Sequence, residues 1–267
     1  VIGVPGILLA ILVRYTLREP RLKQRKIVAV DQPSFREVLS TLWKQQTFRH
    51  IVMAFCVANF FGMGITQWLP TFFIRSHGLE IGEVGTWFAF VWGVFGLFGT
   101  YLGGVLITRY AAHNETLQMR AISLVCAFSG LFYVMVYLSA NKYYALAFLA
   151  TAVFLISLTY GSVFSAIQSL VNNRMRSVAL VLTLFLANLI GFGFGPVAAG
   201  VLSDLFAPVF GQESLRYALA LFSPGYLWVA YHYGKAGDTI EGDIRCVELG
   251  EGLAGRDVAV FEADKPI

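Results

Sequence analysis

The chain has 267 residues, of which 57% are hydrophobic and only 13% charged, with a net charge of +4. Soluble domains carry about 25% charged residues, so a water-soluble fold of this length would leave too much apolar surface uncovered. Acidic residues show where the apolar mass lies, because between Val84 and Ser203 there is only Glu115. These features define an all-α polytopic membrane protein. Cys56, Cys126 and Cys246 are far apart, as are His50, His77, His113 and His232. Such spacing points to no disulfide framework, metal site or nucleophilic centre, and no cofactor is expected.

Runs of roughly 17–25 apolar residues, enough to cross about 30 Å of hydrocarbon, mark about seven transmembrane helices. They fall at 1–17, 50–74, 86–108, 121–139, 143–170, 178–206 and 215–234. The first, "VIGVPGILLAILVRYTL", has neither Met nor a charged leader segment ahead of it. It reads as the end of a transmembrane helix from a longer protein, not as a signal peptide.

Residues 18–49 form a polar, basic linker containing "REPRLKQRK", with Pro20 closing the helix before it. Within it, Phe35, Val38, Leu39, Leu42 and Trp43 follow the i, i+3, i+4, i+7, i+8 spacing of one helical face. That pattern predicts a short amphipathic helix on the membrane surface, with docking to a partner protein as the alternative. Residues 50–235 hold six spans in tight hairpins, the expected bundle. Residues 236–267 are Gly-rich and acidic, with Asp238, Glu241, Asp243, Glu248 and Glu251 leading, and are expected to be a disordered tail. Arg and Lys concentrate on the side of the linker, while the opposite loops carry only Arg75, Lys142 and Arg216. The positive-inside rule then places linker and tail in the cytoplasm, against an anionic leaflet and not nucleic acid.

The polar residues inside the spans are the candidate site. Asn59 and Thr66 share a face, with Gln67 and Trp68 near the far end. An amide in hydrocarbon needs a partner, so Asn59 is either a helix-to-helix bridge or a solute contact. Trp68 reads as an interfacial anchor. On a continuous helix over 143–170, Ser157, Gly161, Ser165 and Gln168 would share one face near Tyr160. That stripe is either a close-packing seam or a cavity lining, and Tyr160 and Gln168 fit the second better. Asn188 lies one turn before "GFGFGPVAAGVLSD", where Gly191, Gly195, Pro196 and Gly200 cluster. Pro196 is expected to bend this helix, with Gly191 and Gly200 as packing points, and Asp204 to cap the following turn. Gly99 and Gly103 allow close helix contact, while Arg109 anchors the end of its helix.

Together these stretches resemble the major facilitator superfamily. "LREPR" (17–21) and "GGVLITR" (103–109) are superfamily-level marks. "QWLPTFFIRSHGL" (67–79), "RMRSVALVLTLFLANLIGFGFGP" (174–196) and "GVLSDLF" (200–206) are similar to the spinster-like branch. The resemblance implies a six-helix C-terminal bundle plus the last helix of the N-terminal half, whose other helices lie in a preceding bundle. It also implies alternating access, with proton-coupling residues in that preceding half, and amphipathic or lipid-like organic solutes. Arg109 would then be a cytoplasmic gate, although Thr108 stands where the family motif usually has Asp. The expected function is a secondary transporter of the plasma or inner membrane, not an enzyme. A non-transporting scaffold and a membrane-embedded lipid-modifying enzyme are the alternatives, and no catalytic constellation for the latter is visible.

Overall fold

The structure, a computed structural model, describes residues 4–16, 35–112, 114–172 and 175–263, and every regular element among them is helical. It divides into two compact units, 1–33 and 34–267. In the first unit, α1 (Val4–Thr16) is an apolar helix whose side chains from Gly6 onward are exposed. Most of the basic linker lies outside the described residues.

The second unit begins with α2 (Phe35–Lys44), the predicted amphipathic helix. Its Leu42 is fully buried against α3 (Gln46–His77) and α9 (Arg176–Phe210), whereas Trp43 is exposed. The helix is therefore part of the bundle's own packing at Leu42. Helix α3 ends at Gly78, whose positive φ of 65° lets its amide reach the Ile74 carbonyl and that of Leu79 reach Phe73. Helix α4 (Ile81–Phe90) opens with reciprocal Glu80 and Glu83 caps. It passes through one wider π turn, Val91–Gly96, into α5 (Leu97–Tyr110), making a single 30-residue span. Asn114 caps α6 (Glu115–Leu138) and Asn141 caps α7 (Lys142–Ser157), each accepting a backbone N–H.

The stretch expected to be one helix over 143–170 is broken. Helix α7 stops at Ser157 and α8 (Tyr160–Ser169) starts after two intervening residues, with the Thr159 hydroxyl donating to the Ile156 carbonyl. Local side-chain bonding of this kind competes with the helical ladder. Among the described residues, five stretches are long and apolar enough to cross a membrane. The last, Arg176–Val247, contains both predicted spans 178–206 and 215–234. It folds back at Gly211, where φ is +55°, so that α10 (Ser214–Phe222) packs on α9. Pro224, which has no N–H to give, separates α10 from α11 (Gly225–Ala263), so the last predicted span is also interrupted.

The disordered tail expected from composition is not what is observed. Helix α11 continues to Ala263, and its 236–247 portion docks on the bundle. The reason is an apolar stripe hidden among the acids: Ala236 and Ile240 are fully buried. The Asp243 carboxylate accepts the Thr47 N–H at the start of α3, and the hydroxyls of Thr47 and Thr239 lie 2.7 Å apart. A carboxylate at a helix N-terminus is favourable for the dipole as well as for the orphan N–H.

Small residues set the closest contacts, as is usual where lipid removes the hydrophobic drive between helices. Helices α3 and α9 meet at Gly64 and Gly195. A Cβ on Gly64 would stand 2.8 Å from the Gly195 carbonyl oxygen, and one on Gly195 would collide with the Phe60 carbonyl. Gly191 faces Asn59 and Gly200 faces the Trp68 ring. Gly99 abuts the Phe154 carbonyl and Gly103 the backbone of Leu158, directly at the α7–α8 break. Large apolar side chains such as Leu97, Phe98, Leu124 and Phe194 point outward, a surface suited to lipid or to another bundle.

Candidate functional site

The bundle encloses a cavity of about 200 Å³ bordered by α3, the π turn, α6, α7, α8 and α11. Helix α3 supplies Phe55, Ala58, Asn59, Met63 and Thr66; the π turn supplies Trp92. Helix α6 contributes Cys126 and Tyr133, the α7–α8 break Ser157, Thr159 and Tyr160, and α11 Tyr226 and Tyr233. Its polar side-chain groups are hydroxyls, one amide, one thiol and the Trp92 indole; no charged residue is among the described residues that line it. The Tyr133 and Tyr226 rings stack with centroids 5.5 Å apart.

Each feature has a local cause. Trp92 lies within the π turn, and such bulges are frequent at functional sites. The α7–α8 break lets both Thr159 and Tyr160 reach the cavity, which a straight helix would rotate by about 100° per residue. The Asn59 amide donates to the Phe55 carbonyl of its own helix at 2.9 Å, leaving its oxygen as an acceptor.

The structure brings Asn59, Thr66 and Tyr160 together in this cavity, and not the other three predicted residues. Gln67 is exposed on α3. Gln168 donates to the Phe164 carbonyl one turn back, while its own carbonyl accepts from Arg176. Asn188 is exposed and donates to the Leu184 carbonyl at 2.7 Å. The proposed stripe is likewise split: Ser157 is buried at the contact with α5, whereas Gly161 and Ser165 are exposed.

Other expectations change as well. Trp68 is no simple interfacial anchor, because its indole N–H donates to the Pro196 carbonyl at 2.8 Å. Asp204 caps no turn, since α9 continues through Phe210; it is exposed and shares a surface groove with Arg75. Pro196 sits inside an unbroken helix held by that indole. Arg109 is exposed with its guanidinium 5.7 Å from the Tyr110 ring, and Thr108 bonds to Gly104 of its own helix. Among the described residues no group of three or more His, Cys, Asp or Glu could hold a metal.

Sequence reasoning missed Trp92, Cys126, Tyr133, Tyr226 and Tyr233. Tyr226 and Tyr233 stand seven apart, two turns on one face, and that period was the available signal. It also missed His50 and His232, which are 182 positions apart yet lie with their Nδ1 atoms 3.0 Å apart.

Residues 1–196 match the family model of the Major Facilitator Superfamily, and the chain belongs to that family. It is 25% identical over 180 residues to an MFS-type efflux pump of Mycolicibacterium smegmatis (strain ATCC 700084 / mc(2)155), covering 67% of this chain and 42% of that protein. In structure it is similar to a bacterial homologue of the human lysosomal transporter Spinster, inward-facing and unoccupied. The TM-score is 0.69 and the identity 19%, over 90% of this chain and 58% of that one. The inward-facing, occupied form of that homologue gives a TM-score of 0.64 at the same identity, covering 90% of this chain and 57% of that one. The chain thus spans less than two thirds of each of these relatives. The helical fold and family expected from the sequence both hold.

Proposed function

We propose that the chain is the C-terminal bundle of a spinster-like secondary transporter that moves an amphipathic organic solute by alternating access. The cavity carries this reading. It is aromatic, hydroxyl-lined and free of fixed charge, which suits a long apolar body with few hydrogen-bonding groups. At about 200 Å³ it is smaller than typical ligand pockets, as half of a shared cavity would be. Asn59, Thr66 and Tyr160 then contact the solute alongside the unforeseen Tyr133, Tyr226 and Tyr233. The second bundle supplies any carboxylate or imidazole for coupling, since the titratable groups among the described residues lining this cavity are tyrosines and one cysteine, neutral at physiological pH. The linker and the α11 extension face the cytoplasm of a plasma or inner membrane, and Pro196 and Arg109 act in the conformational change.

The test is uptake by the two-bundle transporter, this chain together with the second bundle, in proteoliposomes under an imposed pH gradient, with lysophospholipids and other amphipathic anions offered in turn. Gradient-dependent accumulation of such a solute is expected. Tyr160→Phe and Thr66→Val should each raise KM about fivefold, the loss of one hydrogen bond of about 1 kcal/mol, with kcat largely kept. No flux for any amphipathic solute, with the protein correctly folded, would overturn the proposal.

A further inference from the structure

His50 on α3 and His232 on α11 meet at the end of the bundle where the α11 extension begins. Their Nδ1 atoms are 3.0 Å apart, their ring centroids 5.2 Å, and both side chains are half-buried. The Trp228 indole donates to His232 Nε2 at 2.8 Å, which occupies that nitrogen as an acceptor. A neutral His232 therefore carries its proton on Nδ1 and donates it to His50 Nδ1, leaving the His50 proton on Nε2. The chain Trp228 to His232 to His50 has one direction and admits no additional proton. If His50 Nδ1 is protonated, two N–H groups face each other; if His232 Nε2 is protonated, it faces the indole N–H.

The surroundings strengthen the consequence. Arg49 on α3 and Lys235 on α11 lie within electrostatic reach of His50. Lys235 and Arg120, the latter from α6, both engage Asp238 at 3.5 Å, and Asp243 is engaged by the Thr47 N–H. Lys44 closes α2, and Glu115 opens α6. No carboxylate forms an ion pair or hydrogen bond with either imidazole among the described residues, so a proton gained here is not neutralised in place. Just beyond the pair, Ala236 and Ile240 of the extension are fully buried, and it holds to α3 through the Thr47 contacts with Thr239 and Asp243.

We propose that His50 and His232 form a proton-binding site whose neutral state clasps α11 to α3. With the Trp228 bond to His232 Nε2 kept, the added proton enters at His50 Nδ1, so its uptake from water breaks the Nδ1 hydrogen bond and loosens the helical extension over 236–247. The inference is independent of the solute, because neither histidine lines the cavity.

Hydrogen exchange on the full chain in lipid nanodiscs tests it, at pH 7.5 and 5.5, with rates corrected for intrinsic chemical exchange. Protection of the 236–247 amides should fall roughly tenfold at the lower pH, one hydrogen bond's worth. The double variant His50→Gln/His232→Gln, which bonds without titrating, should show protection independent of pH. Equal wild-type protection at the two pH values overturns the proposal, as does an acid response retained in the double variant. Should that variant fold poorly, ring 15N spectra of the wild type decide instead. A joint transition that ends the Nδ1 hydrogen bond supports the site, and two independent titrations overturn it.

Discussion

Gly195 shows what a missing Cβ does when backbone faces backbone. Its neighbour across the helix contact is the Phe60 carbonyl, which cannot rotate away as a flexible side chain would. Gly103 meets Leu158 in the same way, but Gly193 and Gly104 have nothing within 4 Å of an added Cβ. Gly195→Ala and Gly103→Ala should therefore each cost on the order of 1–3 kcal/mol and lower the apparent melting temperature in detergent. Gly193→Ala and Gly104→Ala should stay within about 0.5 kcal/mol of the parent. A glycine-by-alanine thermal scan checks the contrast. From the sequence, the glycine-rich stretch could be read as close packing, because small residues four apart carry that meaning in membranes. Which glycine of each pair meets a neighbour could not, since that depends on the rotation of two helices about their axes. The cavity residues divide for the same reason: Asn59, Thr66 and Tyr160 were legible as polar groups in spans, while Gln67 and Asn188 are equally polar and face outward.

At the scale of elements, positions of helices followed from hydropathy, and their interruptions did not. Leu158–Thr159 has no proline or glycine to announce a break; the Thr159 hydroxyl, bonding locally to Ile156, and the close approach of Gly103 accompany it, and the second is tertiary. Pro224, by contrast, was a visible breaker inside a predicted span. Pro196 presents the opposite case, a proline tolerated within a 35-residue helix. Trp68 braces it from α3 through the indole bond to its carbonyl and the ring's contact with Gly200. Trp68→Phe keeps most of the ring and removes the donor, so it should cost about 0.5–1.5 kcal/mol and loosen α9 near Pro196. Hydrogen exchange over 190–205 checks this, with protection expected to fall several-fold while that of α6 is unchanged.

For the whole molecule, the boundary between bundle and tail moves. Composition marks a change at 236, where acids begin to outnumber bases, but composition averages over faces. Ala236, Ile240 and Ile244 recur every four residues, so one side of the acidic segment is apolar and packs on the bundle. The opposite side carries Asp238 and Glu241, which is why the segment reads as solvated when its faces are pooled. A truncation that asks whether the tail recruits a partner must therefore cut after Val247, not after Lys235. Removing 248–267 should leave melting temperature and flux near those of the full chain. Removing 236–267 also strips the Asp243 carboxylate from the start of α3, at a cost of about 0.5–2 kcal/mol for that cap alone. It further exposes the bundle surface under Ile240, worth about 1.5–3 kcal/mol of burial. The longer deletion should thus lower stability by several times the effect of the shorter one and reduce flux through loss of folded protein. Equal stability of the two truncations, measured by thermal unfolding in the same detergent, would mean that the 236–247 segment contributes nothing to the bundle.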